Sequence, residues 1–215
     1  MTNEFFESAF ATAPIMAILR GMGVDRSLRL ATTAWELGID WVEVPLQVPE
    51  DETTLRELVA LGKERGVAVC AGTIIDPAQI PVAQRAGAAF IVSPGLDPRV
   101  VECAAEHGIP VLPGVSTPSE VQLALSLGLT WLKAFPAHWL GLEWFRHVRG
   151  PFPQARFVAT GGLDATNAGA FLDAGVRVVA VGSALDDERQ LEHLAELARR
   201  RPVFDTLRIP EKGKG

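Results

Sequence analysis

Eight short runs of apolar, largely β-branched residues recur along this chain: 15–20 (IMAILR), 39–44 (IDWVEV), 67–72 (VAVCAG), 88–93 (AAFIVS), 109–112 (IPVL), 129–134 (LTWLKA), 156–160 (RFVAT) and 176–182 (VRVVAVG). Amphipathic stretches with helical spacing alternate with them, near 25–37, 51–65, 77–86, 97–107, 117–127, 140–149, 164–174 and 187–200. Several of these stretches open on a capping residue, as at Asp76-Pro77, Thr117-Pro118 and Asp164. The apolar runs are continuous rather than alternating, which predicts strands buried on both faces. Strands separated by helices pair in parallel through right-handed crossovers. Eight such units in 215 residues fit a closed (β/α)8 TIM barrel better than an open doubly wound sheet, and no strand leads into a GxGxxG turn. No linker, repeat block or composition shift divides the chain, so one barrel domain is expected over 1–208, followed by a disordered tail at 209–215 that ends in EKGKG.

Charge narrows the range of partners. A net charge of -6 argues against nucleic acid and against an anionic membrane surface, since neither attracts an acidic protein. An anionic small molecule would have to be caught by local groups. The two cysteines, Cys70 and Cys103, support neither a disulfide framework nor a cysteine-rich metal site, and the N-terminal MTNEFFESAF lacks the basic and apolar pattern of a secretory signal. A reducing cytoplasm is the expected location.

In a barrel of this kind the reactive groups gather at the C-terminal ends of the strands. Those ends carry Arg20, Glu43, Thr73, Ser93-Pro94-Gly95, Pro113-Gly114, Lys133, Thr160-Gly161-Gly162 and Gly182-Ser183. Lys133 is unusual: the chain has four lysines against sixteen arginines, and this one sits in WLKAFP, between apolar neighbours. A buried, unpaired ammonium loses its proton readily and becomes nucleophilic, whereas arginine stays charged. Taken alone, the stretch fits a strand-end lysine that snorkels to water better than a reactive one. Glu43, in WVEVPL, changes the balance, because strands two and six face each other across an eight-stranded barrel narrow enough for the two side chains to meet near its axis. A buried ion pair that merely fills the mouth is the structural alternative, and it would add little net stability.

TGGL (160–163) and VGSAL (181–185) place glycines after strands seven and eight, where TIM barrels commonly bind phosphate. Each motif by itself is also ordinary turn chemistry; their joint position favours phosphate. Arg20 is a cationic fork suited to a carboxylate, or else a surface arginine at a strand end. His107, His138, His147 and His193 show no metal-ligand spacing, so no metal and no cofactor is expected, and only His138 lies near the mouth. A phosphate-binding barrel without covalent chemistry, or a sugar-phosphate isomerase or epimerase, would carry the same glycine motifs; only Lys133 with Glu43 separates these readings.

In order along the chain, AILRG (17–21), VEVPL (42–46), AGT (71–73), SPG (93–95), PGVSTPSE (113–120), LKAFPA (132–137), TGGL and VGSAL resemble the bacterial 2-keto-3-deoxy-6-phosphogluconate (KDPG) and 2-keto-3-deoxy-6-phosphogalactonate (KDPGal) aldolases. The resemblance implies a metal-independent class I aldolase on a (β/α)8 barrel, commonly a homotrimer. Such an enzyme cleaves a phosphorylated 2-keto-3-deoxy acid to pyruvate and glyceraldehyde 3-phosphate. It assigns Lys133 to the Schiff base, Glu43 to general acid/base work, Arg20 and Thr73 to the pyruvoyl carboxylate, and Gly161, Gly162 and Ser183 to phosphate. Pro94, Phe135 and Gly182 complete the substrate-binding set. One segment departs from the gluconate-type pattern: Gln47, in PLQVP, stands where a second arginine would be, which resembles the galactonate branch. KDPGal is therefore the expected preferred substrate, with a KDPG-specific enzyme as the alternative.

Overall fold

The computed structural model describes residues 2–200, so the tail expected to be disordered lies outside the described residues. The elements are α1 (Thr2–Ala9), β1 (Ile15–Ile18), α2 (Gly23–Glu36), β2 (Trp41–Pro45), α3 (Glu50–Arg65), β3 (Val69–Gly72), α4 (Gln79–Ala86), β4 (Ile91–Val92), α5 (Pro98–Glu106), β5 (Val111–Leu112), β6 (Gly114–Val115), α6 (Pro118–Ser126), β7 (Trp131–Ala134), α7 (Ala137–Val148), β8 (Arg156–Thr160), α8 (Ala168–Asp173), β9 (Val178–Val181) and α9 (Glu188–Ala198). The strands form one parallel sheet in the order β5-β4-β3-β2-β1-β9-β8-β7-β6.

Nine strands make eight staves because β5 and β6 are the two halves of one interrupted strand. Pro113 lies between them and has no N–H to give. The ladder continues around it: Ser93 N donates to Leu112 O at 3.0 Å on one side, and Lys133 N donates to Pro113 O at 2.8 Å on the other. The outermost members of the sheet are thus the same stretch of chain, and the (β/α)8 barrel closes through it.

Two apolar layers result. Outward-facing strand residues such as Ala17, Val42, Val44, Ala71, Leu132 and Val179 pack against the helices, while Met16, Ile18, Cys70, Phe90, Val92, Leu112, Trp131, Val158, Val178 and Ala180 fill the barrel. Burial on both faces is why the strands read as unbroken apolar runs. Within that run a period of two still decides which residues enter the barrel, as at Met16/Ile18 and Val178/Ala180.

Helix α1 was not expected from the apolar periodicity. It plugs the N-terminal end of the barrel with Phe6 and Phe10, 0% and 2% exposed and one helical turn apart. Phe6 meets Phe90 edge-on at 5.1 Å, and Phe10 lies 5.4 Å from Trp131. Polar stitches hold the plug in place: Trp41 Nε1 donates to Ala9 O at 2.8 Å, Thr130 N donates to Asn3 Oδ1 at 3.0 Å, and Arg156 pairs with Glu7 at 2.7 Å. Burying each phenylalanine contributes about 1.5–3 kcal/mol.

The expected caps are present in different forms. Thr117 makes a full capping box with Glu120 at the start of α6. Asp76 accepts from Ala78 N at 2.8 Å and Asp164 accepts from Thr166 N at 2.8 Å, but regular helix begins only at Gln79 and Ala168. Helix α7 starts earlier than expected and bends at Gly141, whose φ of 73° is non-helical. No helix among the described residues is long and apolar enough to cross a membrane.

Candidate active site

Alternation along β2 and β7 sends Glu43 and Lys133 into the barrel, on the same faces as Trp41 and Trp131 one pleat below. Both are buried, at 1% and 2% exposure. Glu43 is paired in register with Cys70 on β3, and Lys133 is fixed by its backbone bond to Pro113. Burial pushes the Cys70 thiol well above its ordinary pKa; the Glu43 carboxylate pushes it further, and the Lys133 ammonium works against them. Both ionisable side chains therefore act on one buried point from opposite walls of the barrel. Neither takes part in an ion pair with another described residue, and Glu43 Oε1 is buried without a hydrogen-bond partner. A side chain on Gly72 would overlap the Glu43 carboxylate, so the missing Cβ is what lets the acid project into the mouth. Lys133 Nζ lies 5.4 Å from the Phe135 ring centroid.

Around this buried pair the remaining predicted residues form a rim. Arg20, following β1, is exposed; Thr73, following β3, is half-buried with its backbone in the left-handed region at φ 56°. Pro94 is half-buried after β4, and its carbonyl would collide with a side chain on Gly114, which brings the β4 loop onto the interrupted strand.

On the far side, Gly161 and Gly162 both have positive φ, 100° and 73°. A Cβ on Gly161 would lie 3.1 Å from the Phe135 ring, and one on Gly162 would lie 2.7 Å from His138 Cβ, so the glycines make the close packing possible as well as the turn. Their backbone is held by His138 N donating to Gly161 O at 3.0 Å and Asn167 Nδ2 donating to Gly162 O at 3.1 Å. Gly182 and the exposed Ser183 follow β9 and lead into a single 3-10 turn (Ser183–Asp186). That turn is fastened to α2 by Arg26, whose Nε and Nη2 donate to the two carboxylate oxygens of Asp186 at 3.3 and 2.6 Å.

His138, the histidine expected near the mouth, does stand there, exposed beside Gly162. The Thr166 hydroxyl, helped by backbone N–H groups and the His138 charge, holds the neighbouring Asp164 carboxyl below its usual range. Sequence reading gave Cys70 and Gly72 no place beside Glu43, although their parity on β3 matches that of Glu43 on β2. Cys103 and His107, in which the sequence shows no metal-ligand pattern, come together with Glu106 at the C-terminal end of the outer helix α5, their ligand atoms within 4.8 Å of one another. Of the five tryptophans, Trp139 stands out at 86% exposure, on the α7 turn beside His138.

Residues 6–199 match the family model described as KDPG and KHG aldolase. The KHG/KDPG aldolase of Escherichia coli K12 is 34% identical over 163 residues, covering 75% of each chain, and the 2-dehydro-3-deoxy-6-phosphogalactonate aldolase of the same organism is 32% identical over 173 residues, covering 80% of this chain and 84% of that one. Among solved structures, the KDPG aldolase of Legionella pneumophila, with pyruvate captured as a covalent carbinolamine intermediate, superposes with a TM-score of 0.78 at 29% identity, covering 91% of this chain and 97% of that one.

Proposed function

From the premise that the chain belongs to the KDPG and KHG aldolase family, and so is an aldolase, a carbon–carbon lyase, we propose that it cleaves a 2-keto-3-deoxy-6-phospho-aldonate to pyruvate and glyceraldehyde 3-phosphate through a Schiff base on Lys133. The observation that carries this reading is the buried pair itself. Lys133 and Glu43 are enclosed in the barrel with no ion pair to satisfy them, and one carboxylate oxygen has no partner. A structural role would have paired them, because a buried unsatisfied polar group costs about 1–3 kcal/mol.

The chemistry follows from the arrangement. Neutral Lys133 Nζ attacks the C2 ketone to give a carbinolamine, and Glu43 supplies the proton with which the hydroxyl departs as water. The resulting iminium is an electron sink. Glu43, now a carboxylate, removes the C4 hydroxyl proton; the C3–C4 bond breaks, the aldehyde leaves, and the electron pair enters the enamine. Protonation of C3 and hydrolysis then release pyruvate and regenerate the amine. Arg20 and Thr73 hold the pyruvoyl carboxylate, and Gly161, Gly162, Gly182 and Ser183 hold the phosphate, with Pro94 and Phe135 shaping the walls between them. The enzyme works as a cytoplasmic homotrimer and needs no metal or cofactor for these steps.

KDPGal is the preferred substrate and KDPG the weaker one, because Gln47 is neutral and exposed where a second arginine would tighten the carboxylate clamp. Asp51 accepts from both Gln47 N and Val48 N, so this loop keeps a fixed shape near the C4 hydroxyl, which is where the two epimers differ. Side-by-side kcat/KM values test this: a tenfold preference for KDPG, about 1.4 kcal/mol, overturns the substrate assignment alone.

Borohydride reduction in the presence of pyruvate tests the mechanism. The expected result is one pyruvate-derived mass on the peptide containing Lys133. A labelled Lys133→Ala protein, or an unlabelled wild type, refutes it. In the latter case a non-covalent phosphate-binding barrel would account for the glycine loops but leave the buried pair unexplained.

A further inference from the structure

Thr73 is the one non-glycine residue with positive φ among the described residues, and it sits on the rim where the reading above places the substrate carboxylate. A β-branched residue does not rest in that conformation unless its surroundings impose it. Gln79, the first residue of α4, accepts from Ile75 N at 2.8 Å and Asp76 N at 3.0 Å through Oε1, and it donates from Nε2 to Leu46 O at 2.9 Å and Thr73 O at 3.4 Å. One amide thereby uses two acceptor and two donor positions, which is its full capacity. The orientation of the amide is fixed by chemistry, because backbone N–H groups cannot accept and carbonyls cannot donate.

These four bonds tie the turn after β3 to the loop after β2, so the two strands that supply Thr73 and Glu43 end in a single braced unit. Leu46 N donating to Gly72 O at 2.8 Å and Ile74 N donating to Val92 O at 3.0 Å secure its flanks. Thr73 itself offers little to hold the turn; the brace comes from outside it.

We infer that Gln79 is a positioning residue that holds Thr73 in its left-handed turn and thereby sets the pocket for the pyruvoyl carboxylate. This rests on the proposed aldolase chemistry, in which pyruvate binds at Lys133. It makes a directional prediction: damage at Gln79 reaches the pyruvate half of the site and spares the phosphate half, which is built on the loops after β8 and β9.

The test is exchange of the pyruvate methyl hydrogens with D2O, which requires only the Schiff base and its enamine. Gln79→Met keeps the approximate length and removes all four bonds, and Gln79→Glu keeps the acceptors but turns an oxygen towards Leu46 O and Thr73 O. In both variants the KM for pyruvate is expected to rise about tenfold while the maximal exchange rate stays within about threefold. Inhibition by inorganic phosphate against the full substrate is expected to change less than twofold in the same proteins. An unchanged pyruvate KM in either folded variant overturns the inference, as does a parallel loss of pyruvate and phosphate affinity, which would mark a general structural role. If Gln79→Met does not fold, Gln79→Glu decides on the same terms. A wild type that exchanges no hydrogen refutes the aldolase reading and this inference with it, whereas a wild type that exchanges normally beside unaffected variants refutes only the role of Gln79.

Discussion

Towards the N-terminal ends of the strands the barrel interior holds Phe6, Phe10, Phe90 and Trp131, packed ring against ring and closed by a helix; towards their C-terminal ends the same strands deliver Glu43, Lys133, Gly72 and the glycine turns after β8 and β9. Strand geometry is common to both ends, and only the residue at each inward position differs. At the bottom every inward residue has apolar neighbours, so the cost of ordering it is met by burial. At the mouth a carboxylate oxygen is buried without a partner and Thr73 is held in a left-handed turn, arrangements that cost stability. On the proposed reading, the plug and the mouth divide stability and chemistry between the two ends of one barrel, as is usual for the fold.

This division predicts that mutations at the two ends act on different observables. The largest effect is expected from Lys133→Arg, whose guanidinium cannot lose its proton: kcat per folded molecule should fall roughly ten-thousandfold or more. Measurable turnover within a hundredfold of wild type would remove Lys133 from the chemistry. Phe6→Ala should do the opposite, losing about 3–5 kcal/mol in denaturant unfolding while the surviving folded protein keeps its kcat. If activity per folded molecule falls with stability, the two ends are coupled and the division fails.

Smaller changes sharpen the boundary. Glu43→Gln preserves shape and removes the proposed proton relay, so kcat should drop about a hundredfold, or about 2.7 kcal/mol in activation free energy, with phosphate affinity unaltered. Near-normal turnover would move the general base elsewhere. Gly162→Ala puts a side chain at φ 73° and 2.7 Å from His138 Cβ. A cost of about 1–2 kcal/mol is expected there, read as a higher KM for the phosphorylated substrate with pyruvate exchange untouched. A rise in the pyruvate KM would show that the two halves of the mouth are not separate. Finally, Cys70 lies on the border between dry and reactive zones, fully buried and with its thiol pushed up by burial first and the Glu43 charge second. Iodoacetamide at neutral pH should modify half-buried Cys103 and leave Cys70 intact in the native protein, as peptide mapping would show. Rapid labelling of Cys70 would mean that water reaches below the acid.

Much of this molecule is determined by local pattern. Eight apolar runs separated by amphipathic stretches determine a parallel barrel, because strands buried on both faces and joined by helices have few other ways to hide their surfaces, and a lysine and a glutamate set inside such runs stand out by composition alone. The glycine turns at 161–162 and 182 were legible for the same reason: a residue without a side chain, at the end of a strand, is a local signal. Three things were decided only by tertiary structure. The helix at 2–9 forms where Phe6 and Phe10 find Phe90 and Trp131, partners far away in sequence. The fifth stave is split because Pro113 lacks an N–H, yet closure is kept by bonds to two other strands. The turn of Thr73 depends on Gln79 reaching back to Leu46, a contact 33 residues away that no periodicity encodes. Periodicity records which face of an element is buried; which distant group meets it is a property of the closed barrel, where chain segments that are remote in sequence share the same few ångströms.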